Sequence, residues 1–222
     1  MYSDKDVVCI WTGTGSRFTP HYVEKLRNMV ENNTNRKYNF FCLLPETDFD
    51  LLPDSIAKIA LPEPFLEPRG WNMVHLFKGY QNLSNDLVYF DLDTVIVDNI
   101  QFLFDLDTRF AVLEDFGPGR PLFGGAVMLW RQTDYLWVYD EFNKSVMKDN
   151  KFRGRADLWY GYLIQSKNFN IDWLQDIFPK KFASYKIDLD RGDIKQDTAV
   201  VCFHGEPLPH EVKNKWVKRY WK

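Results

Sequence analysis

Residues 87–97, LVYFDLDTVIV, are the most strand-like stretch of the chain, yet two carboxylates, Asp91 and Asp93, stand inside it. Buried charge in an apolar strand requires a reason. In a strand, residues i and i+2 share a face, so Asp91 and Asp93 are expected to point to one edge while Leu92 points into the core. Like charges that close repel, and one pKa must rise. A divalent cation removes the conflict, because Mg²⁺ or Mn²⁺ prefers oxygen ligands and commonly bridges carboxylates to substrate phosphates. The plainer alternative is a solvated pair at a fraying strand end.

The neighbouring pattern predicts an α/β sheet around this strand. Residues 7–12 (VVCIWT) read as a strand running into Gly13-Thr14-Gly15-Ser16, followed by a helical pattern from His21 to about Glu31. Strands are expected at 39–44, 56–61, 111–113, 126–130 and 200–203, and helices at 134–147 and 155–165, with a helical turn at 99–104. Alternation of this kind favours a single-domain, mixed, mostly parallel sheet with helices on both faces over a barrel of hairpins. The Pro-rich stretch 61–68 reads as a loop within that one domain, 1–222, rather than as a linker.

Composition removes several function classes. Aromatics are 17% of the 222 residues, more than a core needs, and suit stacking on bases and sugar rings. A net charge of −3 without a long basic run argues against a polynucleotide partner. The segment 213–222 interleaves lysines and Arg219 with Trp216, Val217, Tyr220 and Trp221; it reads as a packed terminal helix, with weak contact to an anionic membrane surface as the second reading. No leader-like start and no apolar run of spanning length is found, so a cytoplasmic protein is expected. Cys9, Cys42 and Cys202 are odd in number and sit in strand-like runs, as reduced core residues do.

The carboxylate motif has two rivals. A second copy, Asp105-Leu106-Asp107-Thr108, follows a helical turn and reads as a cap or turn. The first copy also fits the DxDx[TV] signature of haloacid-dehalogenase-like phosphatases, with Asp91 as nucleophile and Gly192-Asp193 with Asp197 as their later acidic motif. Against this, residues 187–191 (IDLDR) are alternating and charged where that family has a buried strand. A non-catalytic carbohydrate-binding module would use the aromatics but leave the paired aspartates without a purpose.

The ordered set of motifs resembles glycosyltransferases of the A fold, close to family 8, the glycogenin and bacterial lipopolysaccharide galactosyltransferase group. The likeness is carried by VYFDLDTVIVDNI (88–100), PLFGGAVMLW (121–130), SYK (184–186) and VVCFHGEPLPHEV (200–212), and it spans nearly the whole chain. It implies a metal-dependent transferase moving a sugar from a nucleotide-diphosphate donor, a UDP-sugar above all, to a glycan or glycoconjugate hydroxyl with retention. It further implies Mn²⁺ (or Mg²⁺) on Asp91, Asp93 and His204, with Thr12, Gly13 and Thr14 at the base and ribose and Trp11 or Phe18 stacking. Leu92, Gly205 and Arg69 fall on the nucleotide side, and Gly124, Gly125, Lys186 and His210 on the sugar or acceptor side. Asp157, in RADLWYGYL, resembles the acidic residue of the helix near the reacting sugar, although Leu158 stands where a glutamine usually follows.

Aligning the last strand on its valines puts Cys202 where relatives carry histidine; positions 202 and 204 share a strand face, and imidazole suits Mn²⁺ better than thiolate. Two departures concern phosphate charge. Met73 and Leu208 stand where relatives carry lysines. Arg69, Lys186, His210, Lys213 or the metal itself would then have to meet the diphosphate.

Overall fold

The computed structural model describes residues 5–62, 69–117 and 122–222. Its main sheet has seven strands in the order β3-β2-β1-β4-β7-β6-β8. Strands β1 (Asp6–Ile10), β2 (Phe40–Leu44), β3 (Ala57–Ala60) and β4 (Asp86–Phe90) are mutually parallel, β7 (Phe123–Arg131) runs antiparallel to both β4 and β6 (Phe110–Glu114), and β8 (Asp172–Trp173) is parallel to β6. The mixed, mostly parallel α/β architecture expected from the sequence is therefore the one observed.

Both faces of this sheet are covered, and strand alternation sets which residue goes where. On one face Val7, Cys9, Val88, Phe90, Val127 and Leu129 join α1 (Pro20–Asn33). On the other, Val8, Ile10, Leu87, Tyr89, Met128 and Trp130 pack under α3 (Gln132–Asp140), α4 (Ala156–Ser166) and the turn Arg69–Phe77. Helix α1 earns its place by periodicity: Pro20 opens it, and Tyr22, Val23, Leu26, Met29 and Val30 form its buried stripe. The three cysteines are free and buried.

The chain builds β1, β2 and β3 outward, then returns to place β4 on the far side of β1. Order reverses between β1 and β4, and the crevice beyond the carboxyl ends of such strands is where α/β sheets bind ligands. Residues 11–18 and Asp91 emerge there.

The expected strand 87–97 is not one strand. Strand β4 stops at Phe90, residues Asp91 to Asp93 make a turn closed by Thr94 N–H donating to Asp91 O (3.1 Å), and β5 (Thr94–Ile96) starts a second sheet. That sheet has the order β5-β10-β9, with β9 at Phe182–Ser184 and β10 at Val200–Cys202. Continuing β4 between β1 and β7 would carry the aspartates into a double-covered apolar sheet; turning out leaves them at its edge. The expected helix 134–147 also divides, because Asn143 caps a new 3-10 turn at Lys144–Lys148 through its side chain. The terminal segment forms a last short helix (Lys215–Tyr220), which buries Trp216 and Val217. Residues 63–68 of the Pro-rich loop lie outside the described residues, and among those described no helix is long and apolar enough to cross a membrane.

Candidate active site

The turn after β4 does what the strand alternation was expected to do, by a different route. Asp93 is fully buried. Its Oδ2 accepts from Gly205 N–H (3.0 Å) and lies 3.7 Å from Arg17 Nη2, whereas its Oδ1 has no hydrogen-bond partner. Asp91 is half-buried, and its Oδ1 accepts from Leu92 N–H (2.9 Å). Burial first, and the Asp93 charge second, push the Asp91 carboxyl up to about 7; burial also raises Asp93. An orphaned, buried carboxylate oxygen beside a second carboxylate is a hard-oxygen donor set that suits Mg²⁺ or Mn²⁺.

Asp91 stands where two clefts meet, with Arg17, Gly70 and Met73 common to both walls. The first, of about 540 Å³, is lined by Ile10, Thr12, Phe18, Asn72 and Tyr89. The second, of about 340 Å³, is lined by Gly124, Gly125, Arg155, Asp157, His204 and Gly205. A bulge builds its floor: β7 pairing with β6 jumps from Met128 opposite Val112 to Gly124 opposite Leu113, which frees residues 125–127 from β6. Gly125 leaves room there, since a Cβ would come within 2.9 Å of the flexible Met73 Cε, which would have to swing aside, and 3.3 Å of Asp157 Cβ.

Asp157 is buried in the first turn of α4, where the helix N-terminus favours a carboxylate. Arg155, which sequence reasoning missed, grips it with Nε to Oδ1 (3.1 Å) and Nη2 to Oδ2 (2.5 Å). The same guanidinium donates to Asp115 Oδ2 (2.7 Å) and to Phe123 O (3.1 Å). Asp115 is held below the usual carboxylate range against its own burial, with the Arg155 hydrogen bond the main stabilising contact. The signal was available in Arg155-Ala156-Asp157, whose spacing lets an arginine outside the helix fold back on its first turn.

The histidine-glycine segment departs from expectation. His204 lies past the end of β10 at φ 39°, so strand alternation ends before it and positions 202 and 204 do not share a face. Its Nε2 bonds Ser184 Oγ (2.6 Å) and its ring stacks on Phe116 at 5.7 Å. Burial lowers its pKa and keeps it neutral near pH 7. Among the described residues no three His, Cys, Asp or Glu side chains converge on one point, so the ring is not gathered with the aspartates. Instead the segment holds Asp93 by its backbone, Phe203 N–H donating to Asp93 O (3.3 Å) and Gly205 N–H to Oδ2. Cys202 is fully buried and lines neither cleft, and burial pushes its thiol up.

Several expected nucleotide contacts are used by the fold itself. Trp11 is buried and donates its Nε1–H to Phe18 O (2.8 Å), so only Phe18 of the two offers a ring to the cleft. Gly13 (φ +84°) turns its missing side chain toward Asp48, where a Cβ would lie 2.2 Å from Oδ2. Thr14 gives both its N–H and its hydroxyl to the Asp48 carboxylate. Leu92 is wholly in the core. His210 lines neither cleft and bonds the Tyr22 hydroxyl (2.5 Å). Lys186 lies near Asp93 but gives its Nζ to His204 O (2.9 Å), and the Arg69 side chain and Pro121 lie outside the described residues.

The phosphatase reading loses its acids, because Asp193 and Asp197 are exposed and line neither cleft. Gly192 O is occupied instead by Asn214 Nδ2 and Trp216 Nε1.

No protein-family model and no curated protein sequence matches the chain. Solved structures do. The glycosyltransferase GlyE of Streptococcus pneumoniae TIGR4 is similar with a TM-score of 0.65 at 12% identity, over 98% of this chain and 60% of that one. The galactosyltransferase LgtC, solved with donor and acceptor sugar analogs, gives 0.60 at 14% identity, over 92% and 88% of the two chains. Mouse xyloside xylosyltransferase 1 gives 0.59 at 10% identity, over 92% and 98%. The chain thus has the glycosyltransferase A fold, and it spans about three fifths of the length of GlyE.

Proposed function

We propose that the chain is a metal-dependent glycosyltransferase that moves a sugar from a nucleotide-diphosphate donor, a UDP-sugar first, to a hydroxyl of a glycan or glycoconjugate. The observation that carries this reading is the orphaned Oδ1 of buried Asp93, beside Asp91, where two clefts join at the carboxyl end of β4. Asp91 and Asp93 would hold Mn²⁺ or Mg²⁺; His204 would join them on giving up its bond to Ser184. When bound, the cation supplies fixed positive charge against the departing diphosphate.

The rest is the work of the chain's own groups. The first cleft offers the Phe18 ring and the side chains of Thr12 and Asn72 to a nucleoside. The second receives the sugar and acceptor over Gly124 and Gly125, with Arg155 and Asp157 as its polar wall. Asp157 takes one Arg155 hydrogen bond on each oxygen and keeps acceptor capacity on both, which makes it a fixed acceptor for sugar hydroxyls and a poor proton acceptor for catalysis. Retention of anomeric configuration, which asks for no dedicated base on the acceptor, is the outcome this wall supports.

The test is turnover of UDP-, GDP- and dTDP-sugars with and without Mn²⁺, read as nucleoside diphosphate release, with the product anomer assigned by NMR. Release that needs Mn²⁺, stops with EDTA and keeps the donor's configuration is expected. Hydrolysis of p-nitrophenyl phosphate through a phosphorylated Asp91 would overturn the reading.

A further inference from the structure

Arg17 sits on the loop after β1, half-exposed at 49%, with Nη2 3.7 Å from Asp93 Oδ2, and it borders both clefts. Its guanidinium rests 4.8 Å from the Phe18 ring centroid, on the residue offered to the nucleobase. Among the described residues, the two other cations at the site are tied elsewhere: Lys186 to His204 O, and Arg155 to Asp157, Asp115 and Phe123 O. The Arg17–Asp93 contact is longer than a charge-assisted hydrogen bond and its arginine is half-exposed while Asp93 is fully buried, so the arginine can leave when another cation takes its place at the carboxylate.

Neither position expected to carry a diphosphate lysine has one: Met73 lies in the cleft wall, and Leu208 is buried. Two facts then need one explanation. A buried carboxylate has a loosely held arginine as its counter-charge, and a diphosphate would arrive where no fixed cation waits.

Resting on the transferase reading, we infer that Arg17 is an exchangeable counter-ion. In the empty site it balances Asp93; when a divalent cation takes the carboxylates, Arg17 is released to the diphosphate that enters with it. Metal and arginine compete for Asp93, whereas arginine and nucleotide cooperate. The two ligands must therefore respond to loss of Arg17 with opposite signs, which a mere loss of packing could not produce.

The experiment is calorimetric titration of the full chain with Mn²⁺ alone, and then with UDP in saturating Mn²⁺, for wild type, Arg17→Met and Arg17→Lys. Methionine keeps a stem over Phe18 and removes the charge. Arg17→Met should bind Mn²⁺ alone about two- to fivefold more tightly, the scale of a surface ion pair, and UDP about tenfold or more weakly, the scale of a lost charged hydrogen bond. Arg17→Lys should restore most of both. Mn²⁺ affinity that is unchanged or weaker in Arg17→Met, or UDP affinity that is unchanged, overturns the exchange while leaving the transferase reading intact. A wild-type chain that binds neither Mn²⁺ nor UDP removes that reading, and the exchange with it.

Discussion

The pentapeptide Phe-Asp-Leu-Asp-Thr occurs twice, at 90–94 and at 104–108, and the copies have opposite fates. In the first, Asp93 is buried with one oxygen unpartnered, and Thr94 Oγ1 is likewise buried and unpartnered. In the second, Asp105 pairs with Arg36, Asp107 is 86% exposed and bonds Arg131 Nη2 (2.6 Å), and Thr108 Oγ1 donates to Asp172 Oδ2 (2.7 Å). The second copy begins in the last turn of α2 (Gln101–Asp105) and is answered group by group by its surroundings. The two copies share their local chemistry; they differ in that the fold buries Asp93 and leaves it only a loosely held arginine, whereas Asp105 and Asp107 are each met by a close one. An incompletely answered charge, rather than the motif, singles out the first copy as the proposed site.

That contrast can be broken by mutation. The largest effect is expected for Asp93→Ala, which should lower Mn²⁺-dependent turnover by about 10³-fold or more, measured as UDP release, with the protein still folded by circular dichroism. Arg155→Ala comes next. Freeing Asp157 and Asp115 together should cost about 10²-fold in kcat through lost positioning and about 1–3 kcal/mol of stability, read by chemical denaturation.

Phe18→Ala should weaken UDP binding about 5- to 100-fold if the ring stacks on the base. Trp11→Phe is its control; it should lower stability and leave UDP affinity alone, and an equal loss of affinity in both would move the stacking ring to position 11. Cys202→Ser should lower the melting temperature without changing Mn²⁺ affinity, since that thiol sits in the core. The smallest effect belongs to Asp107→Ala: no change in turnover, and less than about 0.5 kcal/mol in stability, as for an exposed ion pair.

Where local pattern decides structure, the sequence was a good guide. The buried stripe of α1, the runs that became β1, β2 and β10, and the helical turn expected at 99–104 follow from periodicity and turn chemistry, although Asp105 closes that helix and no turn forms at Asp107. The site was legible in its acids and its glycines. It was not legible where tertiary contacts reassign a residue: Thr14 is taken by Asp48, 34 positions away, and Trp11 by the carbonyl of Phe18. The shared face of Cys202 and His204 fails for a backbone reason, because the positive φ of His204 ends the alternation on which it depended. Arg17 and Arg155 went unnoticed because their importance lies in what they touch across the fold, at Asp93 and at Asp115.

The two copies also supply the most direct test of the metal assignment. Mn²⁺ binding, followed by electron paramagnetic resonance of the free ion, should be compared in wild type, Asp93→Ala and Asp107→Ala, each with and without UDP. A wild-type site that tightens with UDP, is retained in Asp107→Ala and is lost in Asp93→Ala is the expected result. Mn²⁺ binding that survives Asp93→Ala unchanged would contradict it.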